Sequence, residues 1–142
     1  MSSAAGIEVR IEPMFRGFTR SLITRCVSSV LKREKAGKGK VGVWVTDDRT
    51  IRKINRKFLK HDFATDVISF SLEEAGFLGD LVVSAETARR MARELKVPFK
   101  EELARYVIHG TLHLLGYDDK KPADRKKMHR RQEEILKELG LA

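Results

Sequence analysis

His109 and His113 are four residues apart, Gly116 follows three residues later, and Asp119 three after that. On a helix, side chains at i and i+4 share a face, so both imidazoles reach one metal ion. A glycine just past a helix end adopts a left-handed conformation and turns the chain back, which returns Asp119 to the same ion. Two imidazoles and one carboxylate hold a metal while leaving a coordination position for water, the pattern of catalytic zinc rather than structural zinc. The expected chemistry is therefore metal-dependent hydrolysis, with one Zn2+ per chain on His109, His113 and Asp119. Asp118, next in sequence to the third ligand, joins the two histidines as a catalytic candidate, to orient a ligand or assist proton transfer. His61 is no obvious partner, His129 reads as surface among Lys and Arg, and Met128 as a core residue.

The same spacing is that of zincin metalloproteases, which carry His at the first and fifth positions, Gly at the eighth and His or Asp at the eleventh. Gly110 occupies the position where those enzymes hold their catalytic Glu. A metal site without that base argues against peptide hydrolysis, and the metalloprotease stays as an alternative. A second alternative is a non-catalytic binding protein in which the zinc is structural.

The other signal is electrostatic. Arg49, Arg52, Lys53, Arg56, Lys57 and Lys60 follow helical spacing, with Ile51, Ile54 and Phe58 on the opposite face, and no acidic residue falls between 49 and 60. A solvated face normally intersperses Glu for i,i+4 pairs. An unbroken cationic row repels itself unless a phosphate backbone neutralises it. A second basic block, KKPADRKKMHRR, begins directly after Asp119. The whole chain carries 29 Lys and Arg against 20 Asp and Glu, a net charge of +9. These features point to a nucleic acid as partner. A membrane surface is disfavoured, since neither basic helix adds exposed bulky aromatics.

The elements that position these residues follow from periodicity. Residues 7–12 alternate as a strand. Apolar positions recur at helical spacing from Phe15 to about Glu34, and KAGKGK then forms a loop. VGVWV (41–45) reads as a strand with Trp44 in the core. Asp47 or Asp48 caps a helix over about 49–60. VISFSL (67–72) and GDLVVS (79–84) form a hairpin across the loop EEAGFLG. Ser84 caps a helix that ends at Val97-Pro98, another runs from Pro98 to about Leu115, and the last spans 123–139. The expected fold is α+β: a single domain over 1–142, a mixed four-stranded sheet packed with about five helices, and the zinc site on a helix and the turn after it. One cysteine, Cys26, excludes an intrachain disulfide and suits a reducing cytoplasm. No apolar run approaches a membrane span, and the N-terminus lacks a secretion signal, so the expected location is cytoplasmic.

HGTLHLLGYDD (109–119), INRKFLKHDFATDVISF, GDLVVS, and Met128 followed by Glu133 or Glu134 together resemble the YbeY family of rRNA-maturation endoribonucleases over about residues 40–137. The resemblance implies an α+β fold with zinc in a cleft beside the sheet. It implies hydrolysis of single-stranded RNA in maturing the small-subunit rRNA, and a role in ribosome quality control; in that setting the non-enzyme alternative is a non-catalytic RNA-binding ribosome-assembly factor. The sequence departs from the family pattern twice: Asp119 stands where His is usual, and Leu59 where Arg is usual.

Overall fold

The computed structural model describes residues 6–36, 39–74 and 76–142. The reading of the N-terminus as free of a signal falls on residues partly outside that range. So do the centre of the KAGKGK loop and Ala75 of the hairpin loop. In chain order the elements are β1 (Ile7–Ile11), α1 (Arg20–Arg33), β2 (Lys40–Thr46), α2 (Asp48–Leu59), β3 (Val67–Glu74), β4 (Phe77–Ser84), α3 (Ala85–Leu95), α4 (Phe99–Leu114) and α5 (Pro122–Glu138). The sheet order is β1-β2-β4-β3, with β1 and β4 parallel to β2 and the edge strand β3 antiparallel to β4. The α+β class, the mixed four-stranded sheet and the five helices expected from the sequence are all present.

Strand alternation gives the sheet two different faces. Val41, Val43, Val45, Leu81 and Val83 face a core built with α1, α4 and α5. The opposite face carries Ile68 and Val82, covered by Ile51 of α2. Trp44, expected in the core, lies on this second face and is only half-buried. Its neighbours Val43 and Val45 point to the core, so a period of two sends the indole the other way. There its N–H donates to Glu12 at 2.7 Å.

Two boundaries shift for local reasons. The first helix begins at Arg20 rather than Phe15, because Gly17 takes a φ of +95° and Thr19 caps the helix by accepting from the Leu22 N–H. Phe15 and Phe18 instead pack on the core from the irregular segment that precedes the helix. The hairpin is tighter than expected: β3 runs to Glu74 and β4 starts at Phe77, with Gly76 at a φ of +79°. Asp47, not Asp48, caps α2 through the Thr50 N–H, and Ser84 caps α3 through the Thr87 N–H.

Candidate metal centre

Helix α4 is apolar around most of its surface, with Leu103, Val107, Ile108 and Leu112 fully buried. It packs against α1, α3, α5, β3 and β4. Gly110 is buried against the sheet, where a Cβ would come within 2.9 Å of Leu81 and 3.0 Å of Val67. Its carbonyl accepts from the Ser69 hydroxyl at 3.0 Å. The glycine lets the helix approach the strands, and the side chains flanking it in sequence turn elsewhere. His109 and His113 come to the surface on one side of α4, with ring centroids 4.8 Å apart.

Gly116 takes a φ of +98° and reverses the chain, as expected for a left-handed helix stop. Asp119 returns so that one carboxylate oxygen lies 3.5 Å from Nε2 of both histidines. The three donors all fall within 4.8 Å of one another. A separation of 3.5 Å is long for a hydrogen bond. It is close to the edge of a tetrahedron with metal–ligand bonds of roughly 2.1 Å, which is about 3.4 Å. Both carboxylate–imidazole separations therefore match those of a metal centre. The side chains are 27%, 28% and 42% exposed, so a substrate has access from one side.

The far nitrogens settle which lone pairs face inward. His113 Nδ1 is 3.0 Å from the Tyr117 carbonyl, which only accepts, so the proton sits on Nδ1 and Nε2 is left as a ligand. His109 Nδ1 is 2.7 Å from Gln132 Oε1. The amide of Gln132 is itself oriented, because its NH2 donates to Glu133 at 2.9 Å. Glu133 is in turn gripped by Arg105, which also bonds Glu101 and Glu102. Burial works against ionisation of Glu133, but the hydrogen bonds from Arg105 and Gln132 outweigh it and hold the carboxyl below its usual range. The same carboxylates keep the half-buried Arg105 charged against its own desolvation.

Gln132 was not among the residues singled out from the sequence. The signal was present: Met128, Gln132, Ile135 and Leu136 form the buried stripe of α5, and Gln132 is the polar member. Met128 is a core residue, as expected, and His129 is exposed. His61 is also exposed and stacks on Phe63. Asp118 is not brought to the metal group. Its carboxylate accepts from the Lys120 N–H at 3.0 Å and borders a separate hollow with Asp124 and Lys127.

The cationic row of α2 is exposed, and it lies across the sheet from α4. Arg52 reaches Asp62 at 2.9 Å, and Arg56 approaches the same carboxylate at 4.0 Å. The row therefore has an acidic partner that follows it in sequence, and it does not border the metal donors directly. Phe58, read as the buried side of that helix, is 58% exposed. The second basic block does adjoin the centre: Arg125 donates to the Asp119 carbonyl at 3.1 Å.

Comparison with known proteins places this geometry. The family described as Endoribonuclease YbeY matches residues 12–140. A protein of Rhodopirellula baltica named Endoribonuclease YbeY is 47% identical over 112 residues, covering 76% of this chain, which spans 58% of that relative's length. One from Anaeromyxobacter with the same name is 40% identical over 133 residues, covering 91% of this chain and 69% of the relative. The solution structure of TM1509 from Thermotoga maritima superposes with a TM-score of 0.66 at 28% identity, covering 93% of this chain and 87% of that one. With a family match over nearly its whole length and relatives at this level of identity, the chain belongs to the YbeY family.

Proposed function

We propose that the chain is a zinc-dependent endoribonuclease that cuts single-stranded RNA in the maturation of small-subunit rRNA and in ribosome quality control. In this reading residues 1–142 form one metal-dependent hydrolase domain that works in the cytoplasm with the small subunit as partner. The observation that carries it is the convergence of His109, His113 and Asp119 in a member of a family whose relatives are named endoribonucleases. When bound, zinc supplies Lewis acidity, lowering the pKa of a coordinated water and polarising a phosphoryl oxygen.

The protein's own part is to hold and orient. His109 and His113 offer Nε2, each locked by a bond at Nδ1, and Asp119 brings the negative charge. Arg125, beside the Asp119 turn, and the α2 cations Arg49, Arg52, Lys53, Arg56, Lys57 and Lys60 attract the phosphate backbone. Asp118 has no place in this scheme, since its carboxylate is engaged in its own turn. A protease is disfavoured by packing: a Glu at position 110 would have to displace Leu81 and Val67. No helix is long and apolar enough to cross a membrane among the described residues.

The test is chelator-sensitive cleavage of a single-stranded RNA oligonucleotide, restored by zinc, with zinc content measured alongside. His113→Ala should lose both metal and cleavage, and an unstructured peptide should stay intact. Peptide cleavage without RNA cleavage, or RNA binding without cleavage at full zinc occupancy, would overturn the proposal.

A further inference from the structure

The second face of the sheet is only partly covered. Helix α2 lies over Ile68 and Val82 and leaves the β1 side open. Between them runs an open groove of about 520 Å³. Strand register sets its floor in two rows: Glu8, Gly42, Asp80 and Phe70, then Arg10, Trp44 and Val82. Phe58 of α2 closes one side and meets Phe70 edge to face at 5.7 Å. Gly42 opens the floor, since a Cβ there would collide with the Asp80 carboxylate. The guanidinium of Arg10 sits 4.6 Å above the Trp44 ring.

The chemistry of this groove is that of a nucleotide site. Trp44, Phe58 and Phe70 offer aromatic surface on which an unpaired base can stack. Asp80 presents a carboxylate to the same space, and partial burial and the nearby Glu8 make its charge costly until a donor reaches it. The ammonium of Lys57 lies 5.4 Å from the Phe58 ring, and Lys53 precedes it by one turn of α2. Lys57 thus stands beside the Phe58 side of the groove, and Lys53 is exposed on the same helix next in sequence to the lining residue Ile54. Among the bases, guanine carries adjacent N1–H and N2–H donors that a carboxylate takes together.

We infer that this groove binds an unpaired guanine of the RNA strand, with its base stacked beside Trp44, its Watson–Crick edge on Asp80 and its phosphate at Lys53 and Lys57. The strand then passes around the edge strand β3 between the groove and the metal centre. This explains why a cationic row lies across the sheet from the metal donors. The inference rests on the reading of the chain as an RNA-binding enzyme.

Trp44 is the single tryptophan of the chain, so its fluorescence reports the groove directly. Titration with GMP should quench it. IMP, which lacks the 2-amino donor, and AMP should need at least about tenfold higher concentration. A 2′-O-methyl oligonucleotide with one central guanine in an adenine run should bind at least tenfold more tightly than GMP, because the source is RNA rather than free nucleotide. Asp80→Asn should bring GMP down to the level of AMP. His113→Ala should quench as wild type does. Equal quenching by all three nucleotides, or quenching only by a Lys/Arg-rich peptide, would overturn the inference. Absent quenching with RNA cleavage intact would overturn the groove alone. Guanine-selective quenching without any RNA cleavage would support the groove and remove the nuclease.

Discussion

Replacing Gln132 with Met removes the acceptor for the His109 ring while keeping side-chain length and volume. A neutral imidazole exchanges its proton between two nitrogens, and only the Nδ1–H form leaves Nε2 as a ligand toward Asp119. In the wild type, the 2.7 Å contact to Gln132 Oε1 selects that form, and the bond from Gln132 to Glu133 keeps the amide from turning over. Without the acceptor, the Nε2–H form becomes accessible and the ring is free to rotate. Loss of such an outer partner lowers metal affinity by about 10–100-fold, equivalent to roughly 1.4–2.7 kcal/mol. The lower part of that range is expected here, because His113 keeps its own lock at the Tyr117 carbonyl. Folding stability should fall by about 1 kcal/mol, since Glu133 retains Arg105 and only the Gln132 bonds are lost.

The assay is competition for zinc against a chromophoric chelator near neutral pH, paired with ¹⁵N NMR of the His109 ring in the metal-free protein. Gln132→Glu supplies the control: its carboxylate accepts from Nδ1–H but stands beside Glu133 as a like charge. It should regain zinc affinity while losing stability. Unchanged affinity in Gln132→Met, with His109 still protonated at Nδ1, would refute the argument. Equal losses in Met and Glu variants would assign the effect to packing rather than to the hydrogen bond.

Gly110→Ala gains about 0.5–1 kcal/mol in helix propensity, but its Cβ meets Leu81 at 2.9 Å and Val67 at 3.0 Å. Overpacking costs about 1–3 kcal/mol, so urea unfolding should show a net loss near 1 kcal/mol; a stabilised variant would mean that α4 has room to move. Arg105→Met strands Glu102 and Glu133 without their cation and should cost about 3 kcal/mol at neutral pH. Glu133 has a folded pKa below its ordinary value of 4.5, so its contribution is present above that value and lost as pH falls through the depressed one. The gap between wild type and Arg105→Met should therefore narrow below about pH 4.5, and a gap that ignores pH would refute the assignment. Changing Arg52, Arg56 and Lys60 to Gln should flatten the salt dependence of RNA affinity by at most about 2 in log–log slope, at about 0.7 per phosphate. Asp62 already shares two of these cations, so a smaller change is expected, and an unmoved slope would return α2 to ordinary solvated surface.

What the sequence disclosed about this molecule follows the range of the forces involved. The metal donors depend on one helical turn and one left-handed glycine, both local, so His109, His113, Gly116 and Asp119 could be read from spacing and stand together in the fold. Helix caps at Asp47 and Ser84 were legible for the same reason. Trp44 was misplaced because a run of five apolar residues hides the alternation that separates the two faces of a sheet. The cationic row reads from spacing as one face of a helix, yet its neighbour does not, because sheet order and crossover decide which face of the sheet α2 covers. Gln132 escaped notice because its partner, His109, is 23 residues away and meets it only where α5 packs on α4.

Gly110 shows how a local reading and a tertiary one can support the same conclusion by different routes. From spacing alone it is the missing base of a peptidase. In the fold it is the point where α4 presses against β3 and β4, with the Ser69 hydroxyl on its carbonyl. A carboxylate at that position would be buried against Leu81 and Val67, facing away from the surface on which the two imidazoles converge. The shared spacing of the metal ligands therefore does not carry the shared chemistry with it. His–x–x–x–His records how a helix presents two imidazoles, while the residue between them records what the other side of that helix must touch.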